Sequence, residues 1–357
     1  MNMHLQPISF KKYSLILIYL FFFMAVIFGC MEIYFEKLYG DLTRIGNFPE
    51  RYFGWQLPQP LITPDLFKDY PLDEADILVI GDSFSVARIW QTKLVADGLK
   101  VGTMTWGELK EKEALPSDLG KTLRISGFKG RYVIIESVER LFQGRMMALS
   151  KAPLHQISKT PFVVDTNFAL YPFTSRERVS WSKLNGGAWG VTALYNSIKL
   201  FLNLPQSYLK SGAVQAVNFD GCQLFSHRLC NYGIFVEGDF NKHTFDSIAN
   251  VLTVNRNLKA EGIQPIWMII PDKATVYLGY GKFNKYPYQN IWQSFAQYPE
   301  LLAPDLGAEF TNKSRMIKDF YYPNDTHLSA NGSLYMGSIM ENQMRNIMAN
   351  QSKLVFP

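Results

Sequence analysis

The chain has 357 residues, 47% of them hydrophobic and 19% charged, with 36 basic and 31 acidic side chains that give a formal charge of +5. That composition supplies a sizeable core and excludes a disordered polymer, and the length suits one large domain or two ordinary ones. The charge is mild and forms no long single-sign run, so it leaves no electrostatic footprint for nucleic acid.

The first element is Tyr13 to Met31, "YSLILIYLFFFMAVIFGCM", which contains no charged residue. At about 1.5 Å per residue it covers roughly the 30 Å of a hydrocarbon core, which predicts a single transmembrane anchor over 13–31. Lys11 and Lys12 precede it and Glu32 and Glu36 follow. The positive-inside rule therefore puts residues 1–12 in the cytoplasm and the remainder beyond the inner membrane, which in a bacterium is the periplasm. A cleaved signal peptide is the rival reading, but its apolar core runs only about 7–15 residues and ends in a small-x-small site. Cys30 after Gly29 reads as a cysteine within the span, because the preceding Phe28 is bulky where lipoprotein cleavage sites are small.

Residues 32–74 are rich in aromatics and prolines ("FPERYFGWQLPQPLITP") with no sustained period, which predicts an ordered leader packed on the domain. Four short apolar runs follow, "ILVI" at 77–80, "VGTM" at 101–104, "YVIIE" at 132–136 and "IWMII" at 266–270, each a candidate buried strand. Val86, Ile89, Trp90 and Leu94 have helical spacing within 85–97, as do Phe245, Ile248 and Leu252 within 244–261. Strand, helix, strand implies a parallel sheet in an α/β domain spanning about 75–350. Met336, Met340, Met344 and Ile347 predict a closing helix over 330–349 with Ser329 as its N-cap.

The interval 142–240 breaks this alternation with turn clusters and the short candidate strands "AVQAVNF" and "YGIFVEG", and reads as an insertion. Within it, Cys222 and Cys230 ("CQLFSHRLC") would meet an oxidising compartment and are expected to form a disulfide. Two cysteines and His227 lack the paired spacing of a zinc site, so no metal is expected there.

The chemistry begins at "ILVIGDSFS". Ligands of open α/β sheets bind beyond the carboxyl ends of the strands, and Ser83 falls two residues past such an end if the run at 77–80 carries into Gly81. Gly81 is expected to permit a sharp turn, and the free N–H groups and dipole of a helix opening at Ser83 would stabilise an oxyanion. The same residues also suit a plain helix cap, which is the simpler reading of those few residues taken alone. A nucleophilic serine needs a base. His4 is cytoplasmic in this topology, and His155, His227 and His243 have no comparable acidic neighbour, whereas His327 lies in "YYPNDTHLSANG" two residues after Asp325. In an extended segment residues i and i+2 project to the same side, so Ser83, His327 and Asp325 form a candidate nucleophile, base and orienting carboxylate.

"IGDSFS" and "DTHLSANG" resemble the first and last blocks of the SGNH (GDSL-type) hydrolase superfamily. With "YVIIESVER" and "IIPDKATVY" between them, the chain resembles the periplasmic SGNH-like sugar O-acetyltransferases related to the alginate acetylation proteins, over roughly residues 75–345. The resemblance implies a three-layer α/β/α domain, catalytic roles for Ser83, His327 and Asp325, and a carbohydrate acceptor; no cofactor is expected. Two departures stand out. In the alginate relatives the Asp-x-His pair precedes the serine block, whereas here it follows, as in ordinary SGNH esterases. Superfamily esterases also offer a glycine and an asparagine to the oxyanion, yet "ESVER" occupies the place of the asparagine block. Gly102 is then a candidate second donor beside the Ser83 amide, and equally a glycine kept for close strand packing. Glu136, Glu139 and Arg140 could suggest paired acid/base carboxylates; the triad needs no such pair, and an internal ion pair holding a loop is the better reading.

These expectations converge on a membrane-anchored periplasmic O-acyltransferase, transferring acetyl groups to a polysaccharide through an acyl-serine. The resemblance implies a membrane-bound acyltransferase as the acetyl donor. An SGNH carbohydrate esterase and a non-catalytic glycan-binding or assembly protein remain open alternatives.

Overall fold

The structure is a computed structural model that describes residues 10–34, 39–109, 115–147, 156–159, 188–202, 208–240, 245–279 and 288–355. Its strands are β1 (Ile77–Gly81), β2 (Val101–Thr105), β3 (Tyr132–Val138), β4 (Tyr208–Ser211), β5 (Val214–Asn218), β6 (Tyr232–Val236) and β7 (Gln264–Ile270). The four apolar runs form one sheet in the order β2-β1-β3-β7, every neighbouring pair parallel.

Their near-continuous hydrophobicity follows from burial on both faces. Leu78, Ile80, Val133, Ile135, Trp267 and Ile269 share one core with Leu123, Phe142, Val254 and Phe295, which lie on the helices Leu119–Ile125, Glu139–Met147, Ile248–Ala260 and Ile291–Ala296. Ile77, Val79, Ile134, Ile266 and Met268 share the other with Leu94, Phe310, Met336 and Met340, from the helices Gln91–Ala96, Leu306–Lys313 and Ala330–Val355. The result is the three-layer α/β/α arrangement expected.

The helix expected over 85–97 is two pieces, Ser83–Val86 and Gln91–Ala96. Arg88 breaks it with φ 57°, and its buried guanidinium bonds Asp69 and the carbonyls of Lys68 (2.6 Å) and Val101 (3.2 Å). The second expected helix is shorter, Ile248–Ala260, and Thr244 lies outside the described residues. The closing helix begins at Ala330 as expected, with Ser329 Oγ accepting from the Gly332 amide at 3.2 Å, and it continues to Val355.

Strands β4, β5 and β6 form a separate antiparallel sheet. Val214, Ala216, Tyr232 and Ile234 pack against Leu42, Phe48 and Phe53 of the leader and against Leu200 of the helix Ala188–Phe201. The leader thus packs on this small sheet through Leu42, Phe48 and Phe53. Cys222 and Cys230 are disulfide-bonded between β5 and β6. His227 is buried there, donates Nε2–H to the Tyr232 carbonyl at 2.8 Å, and burial pulls its pKa down to about 4, so it is neutral.

Candidate active site

At the carboxyl end of β1 the chain stays extended through Asp82 (φ −101°, ψ −157°) and turns into a one-turn helix at Ser83. Asp82 is the cap: its Oδ1 accepts the Phe84 amide at 3.2 Å, which leaves the exposed Ser83 hydroxyl free of that duty. Gly81 is needed for space and not for an unusual backbone conformation, because it has no positive φ and a Cβ there would sit 2.6 Å from Glu136 Oε2 and from Ser85 Oγ.

That space holds a carboxyl pair. Glu136 Oε2 accepts the Asp82 amide and the Ser85 hydroxyl, each at 2.8 Å, while Asp82 Oδ2 accepts from the Val138 amide (2.9 Å) and Arg145 Nη1 (2.8 Å). Complete burial, and then the neighbouring Asp82 charge, push Glu136 well above the ordinary carboxylate range. Burial would raise Asp82 too, but its hydrogen bond with Glu136 and the Arg145 guanidinium outweigh it and hold Asp82 low. A neutral Glu136 beside an ionised Asp82 therefore ties the turn after β1 to β3, directly beneath Ser83.

The loop Tyr322–Leu328 brings the other two residues. His327 Nε2 lies 2.7 Å from Ser83 Oγ and Nδ1 lies 2.6 Å from Asp325 Oδ1. An ionised carboxylate can only accept, so Nδ1 carries the proton and Nε2 is left to accept the Ser83 O–H. Burial alone would raise Asp325, but its bonds with His327 hold it down to about 2, and Asp325 in turn lifts His327 above the usual histidine value against the effect of burial. The Phe84 ring lies 4.9 Å from the imidazole and walls one side.

The leader reaches this site, which the sequence did not signal. The Asp41 amide donates to Asp325 Oδ2 at 3.1 Å, and its carboxylate lies 3.7 Å from His327 Nδ1. The Leu42 and Thr43 amides donate to the Asn324 carbonyl at 3.0 and 3.3 Å. Behind them Glu50, pushed up to about 7 by burial, accepts from Tyr39 N (2.9 Å), Gly40 N (3.4 Å), Thr43 Oγ1 (2.5 Å) and Asn324 Nδ2. Asp41, Asp325 and His327 also bring three metal-ligand atoms within 4.8 Å of one another, but the Nδ1–H directed at Asp325 fills that space with a hydrogen bond.

From the other side comes Lys273, just past β7 and fully buried. Its Nζ donates to the carbonyls of Tyr322 (2.8 Å), Pro323 (2.8 Å) and Asp325 (3.2 Å), over the ring of Phe225 at 5.2 Å. Burial pulls its pKa down to about 7, while three carbonyl oxygens match the three N–H groups of the ammonium form. Lys273 stands three residues past "IWMII", behind Pro271 and Asp272, and nothing beside it in the chain signals these contacts.

Gly102 does not stand with the triad. It pairs with Leu78 in mid-strand, and a Cβ there would lie 2.9 Å from the Tyr70 carbonyl. Its neighbours Val101 and Thr103 turn their backbone groups outward, to Tyr70 N and Asp69, so alternation turns the Gly102 amide into the ladder with β1. Gly102 is a packing glycine, and the oxyanion role is withdrawn. Gly107 is better placed: Gly81 pairs with Thr105, so Gly107 stands two residues beyond β2 as Ser83 stands two beyond β1, and its Cβ position is open apart from Thr105 Oγ1 at 3.8 Å. The helix at Ser83 has only four residues, too few for a macrodipole to matter, so individual N–H groups must carry the anion.

Glu139 and Arg140 hold loops together. Glu139 accepts from Asp272 N (2.9 Å), Thr275 Oγ1 (2.8 Å) and Tyr288 OH (2.6 Å), and Arg140 bridges Asp272 and Asp239.

Residues 237–347 match the family described as SGNH hydrolase-like domain, acetyltransferase AlgX. Over this stretch, less than a third of its length, the chain is similar to that family. The matched stretch holds β7, Lys273, Asp325 and His327, and it ends inside the closing helix, while Ser83 and β1–β3 lie before it. No curated protein and no solved structure matches the chain.

Proposed function

We propose that the chain is a membrane-anchored serine O-acetyltransferase that modifies a polysaccharide outside the inner membrane. The observation that carries this reading is the unbroken relay from Ser83 Oγ to His327 (2.7 Å) to Asp325 (2.6 Å) at the carboxyl edge of a parallel sheet. His327 takes the Ser83 proton as Oγ attacks the acyl carbonyl of the donor. The oxyanion faces the Ser83 and Gly107 amides, and collapse expels the donor oxygen or sulfur, which takes the proton back from His327. A sugar hydroxyl then gives its proton to His327, attacks the acyl-serine, and leaves as an acetyl ester with Ser83 restored. Asp325 holds the imidazole tautomer and stabilises its cation throughout.

The apolar helix at residues 10–30 supports the anchor, and the AlgX-type match supports sugar O-acetylation. A membrane-bound acyltransferase is the donor proposed. Water in place of the sugar would make the same relay an esterase, a reading that the exposure of Ser83 favours. Incubating the full chain with a chromogenic acetyl ester and an oligosaccharide separates the two. Acetylated sugar that vanishes in Ser83→Ala supports transfer; free acetate alone makes the protein an esterase; no turnover at all favours the non-catalytic alternative.

A further inference from the structure

The helix Ala188–Phe201 carries an apolar stripe that stays largely exposed among the described residues. Val191 (45% exposed), Leu194 (39%), Tyr195 (56%), Ile198 (47%) and Phe201 (60%), with Leu202 (65%) just after, recur at three- and four-residue intervals, so they share one face. Monomeric soluble proteins rarely leave a patch of this kind open to water.

The opposite face fixes where the stripe lies. Ala193, Asn196, Ser197 and Leu200 are buried, and Asn196 Nδ2 donates to the carbonyls of Gly46 and Asn47 (each 3.1 Å) and to Ser211 Oγ (3.0 Å). The Phe201 ring also meets Tyr52 edge to face at 5.3 Å. This helix is therefore bolted to the leader. The leader in turn is tethered to the apolar helix that ends at Tyr34, with only residues 35–40 between it and the leader helix Asp41–Gly46. Fully extended, that tether spans at most about 25 Å, so the leader face cannot leave the vicinity of the bilayer. Consistently, the helix Ala188–Phe201 lies against the helix Phe10–Tyr34.

We propose that this stripe lies in the lipid headgroup and acyl boundary, as an interfacial amphipathic helix that docks the domain onto the membrane holding its anchor. The proposal rests on the reading of residues 10–34 as a membrane span. Tyr195, with Lys199 Nζ over its ring at 4.2 Å, gives the stripe the aromatic and cationic character of an interface anchor. Because the same leader carries Asp41, seating the stripe also sets how the Ser83 site stands relative to the membrane.

The test uses the full chain with Cys30→Ala, reconstituted in nanodiscs of neutral and anionic phospholipid, with single spin labels placed by Leu194→Cys, Ile198→Cys, Phe21→Cys in the anchor and Ile125→Cys on a remote exposed site. Labels at 194 and 198 should be open to oxygen and shielded from a water-soluble nickel complex, close to the label at 21 and opposite to that at 125. Nickel access at 194 and 198 equal to that at 125, with the label at 21 still in lipid, overturns the interfacial helix alone. Nickel access at 21 as well overturns the anchor reading. Labels at 194 and 198 that are wet in discs but shielded from both reagents in native membranes would identify a protein partner and overturn the lipid proposal.

Discussion

Among the described residues the Ser83 hydroxyl faces one strong partner, His327, because the cap that a serine at a helix start would otherwise supply is made by Asp82. Ser83→Ala should therefore change stability by less than about 1 kcal/mol while lowering turnover by several orders of magnitude, and His327→Ala should do about the same, since members of a relay act as a unit. Fluorophosphonate labelling followed by peptide mapping checks this: label at Ser83 in the wild type, none in Ser83→Ala. The pH dependence follows from His327, which must be neutral to accept the Ser83 proton. Burial works against its charge, but the bonds with Asp325 and the nearby Asp41 carboxylate raise its pKa above 6.5. Activity should thus fall as pH drops through a midpoint above 6.5, and Asp41→Asn should move that limb to lower pH with only a few-fold loss of kcat, read from a kcat/KM profile.

At the scale of elements, the loop Tyr322–Leu328 is gripped from two sides, by Lys273 beyond β7 and by the leader helix Asp41–Gly46. Lys273→Met takes the Nζ donor from three carbonyls, of which Tyr322 keeps the Asp325 amide at 3.3 Å, and should cost about 3 kcal/mol, with kcat falling at least tenfold because Asp325 and His327 ride on that loop. Denaturant unfolding and ester kinetics on the same sample measure both. The leader grip depends on Glu50, whose folded pKa of about 7 lies above its ordinary value of 4.5. A raised carboxyl stabilises the fold fully below about 4.5 and loses that contribution as pH climbs through about 7. The wild type should accordingly lose thermal stability relative to Glu50→Gln, which keeps the amide-accepting oxygen without the charge, as pH rises from about 4.5 to about 7, and level off above that; parallel melting curves would show no difference if Glu50 were ionised throughout.

At the scale of the molecule, Leu42, Phe48 and Phe53 of the leader lie in the core of the small antiparallel sheet, and Val217 and Phe235 of that sheet pack on Ala274 and Leu278 just past β7 of the parallel sheet. The Cys222–Cys230 disulfide closes the loop between β5 and β6. Replacing both cysteines by serine should cost about 2–4 kcal/mol, measured by chemical unfolding under oxidising conditions, with the loss appearing first in the leader and small sheet. A reducing agent should lower the wild type to the level of the double variant.

What the sequence determined by itself was whatever depends on local pattern. Runs such as "ILVI" and "YVIIE" have no way to be stable except as strands covered on both faces, and the Met336–Met340–Met344 spacing has no use except on a helix. The Asp325–His327 pair was legible because two residues of extended chain suffice to bring a carboxylate and an imidazole together. The joining of that pair to Ser83 is a contact across 244 positions, which only the folded sheet makes. Tertiary structure likewise decided that Gly102 faces the ladder, that Arg88 splits a helix for the sake of Asp69, and that Lys273, Asp41 and Glu50 hold the loop Tyr322–Leu328. Each of these depends on which distant backbone carbonyl or carboxylate arrives beside the residue, and that is a property of the packing of layers, with no trace in the residue's own neighbours along the chain.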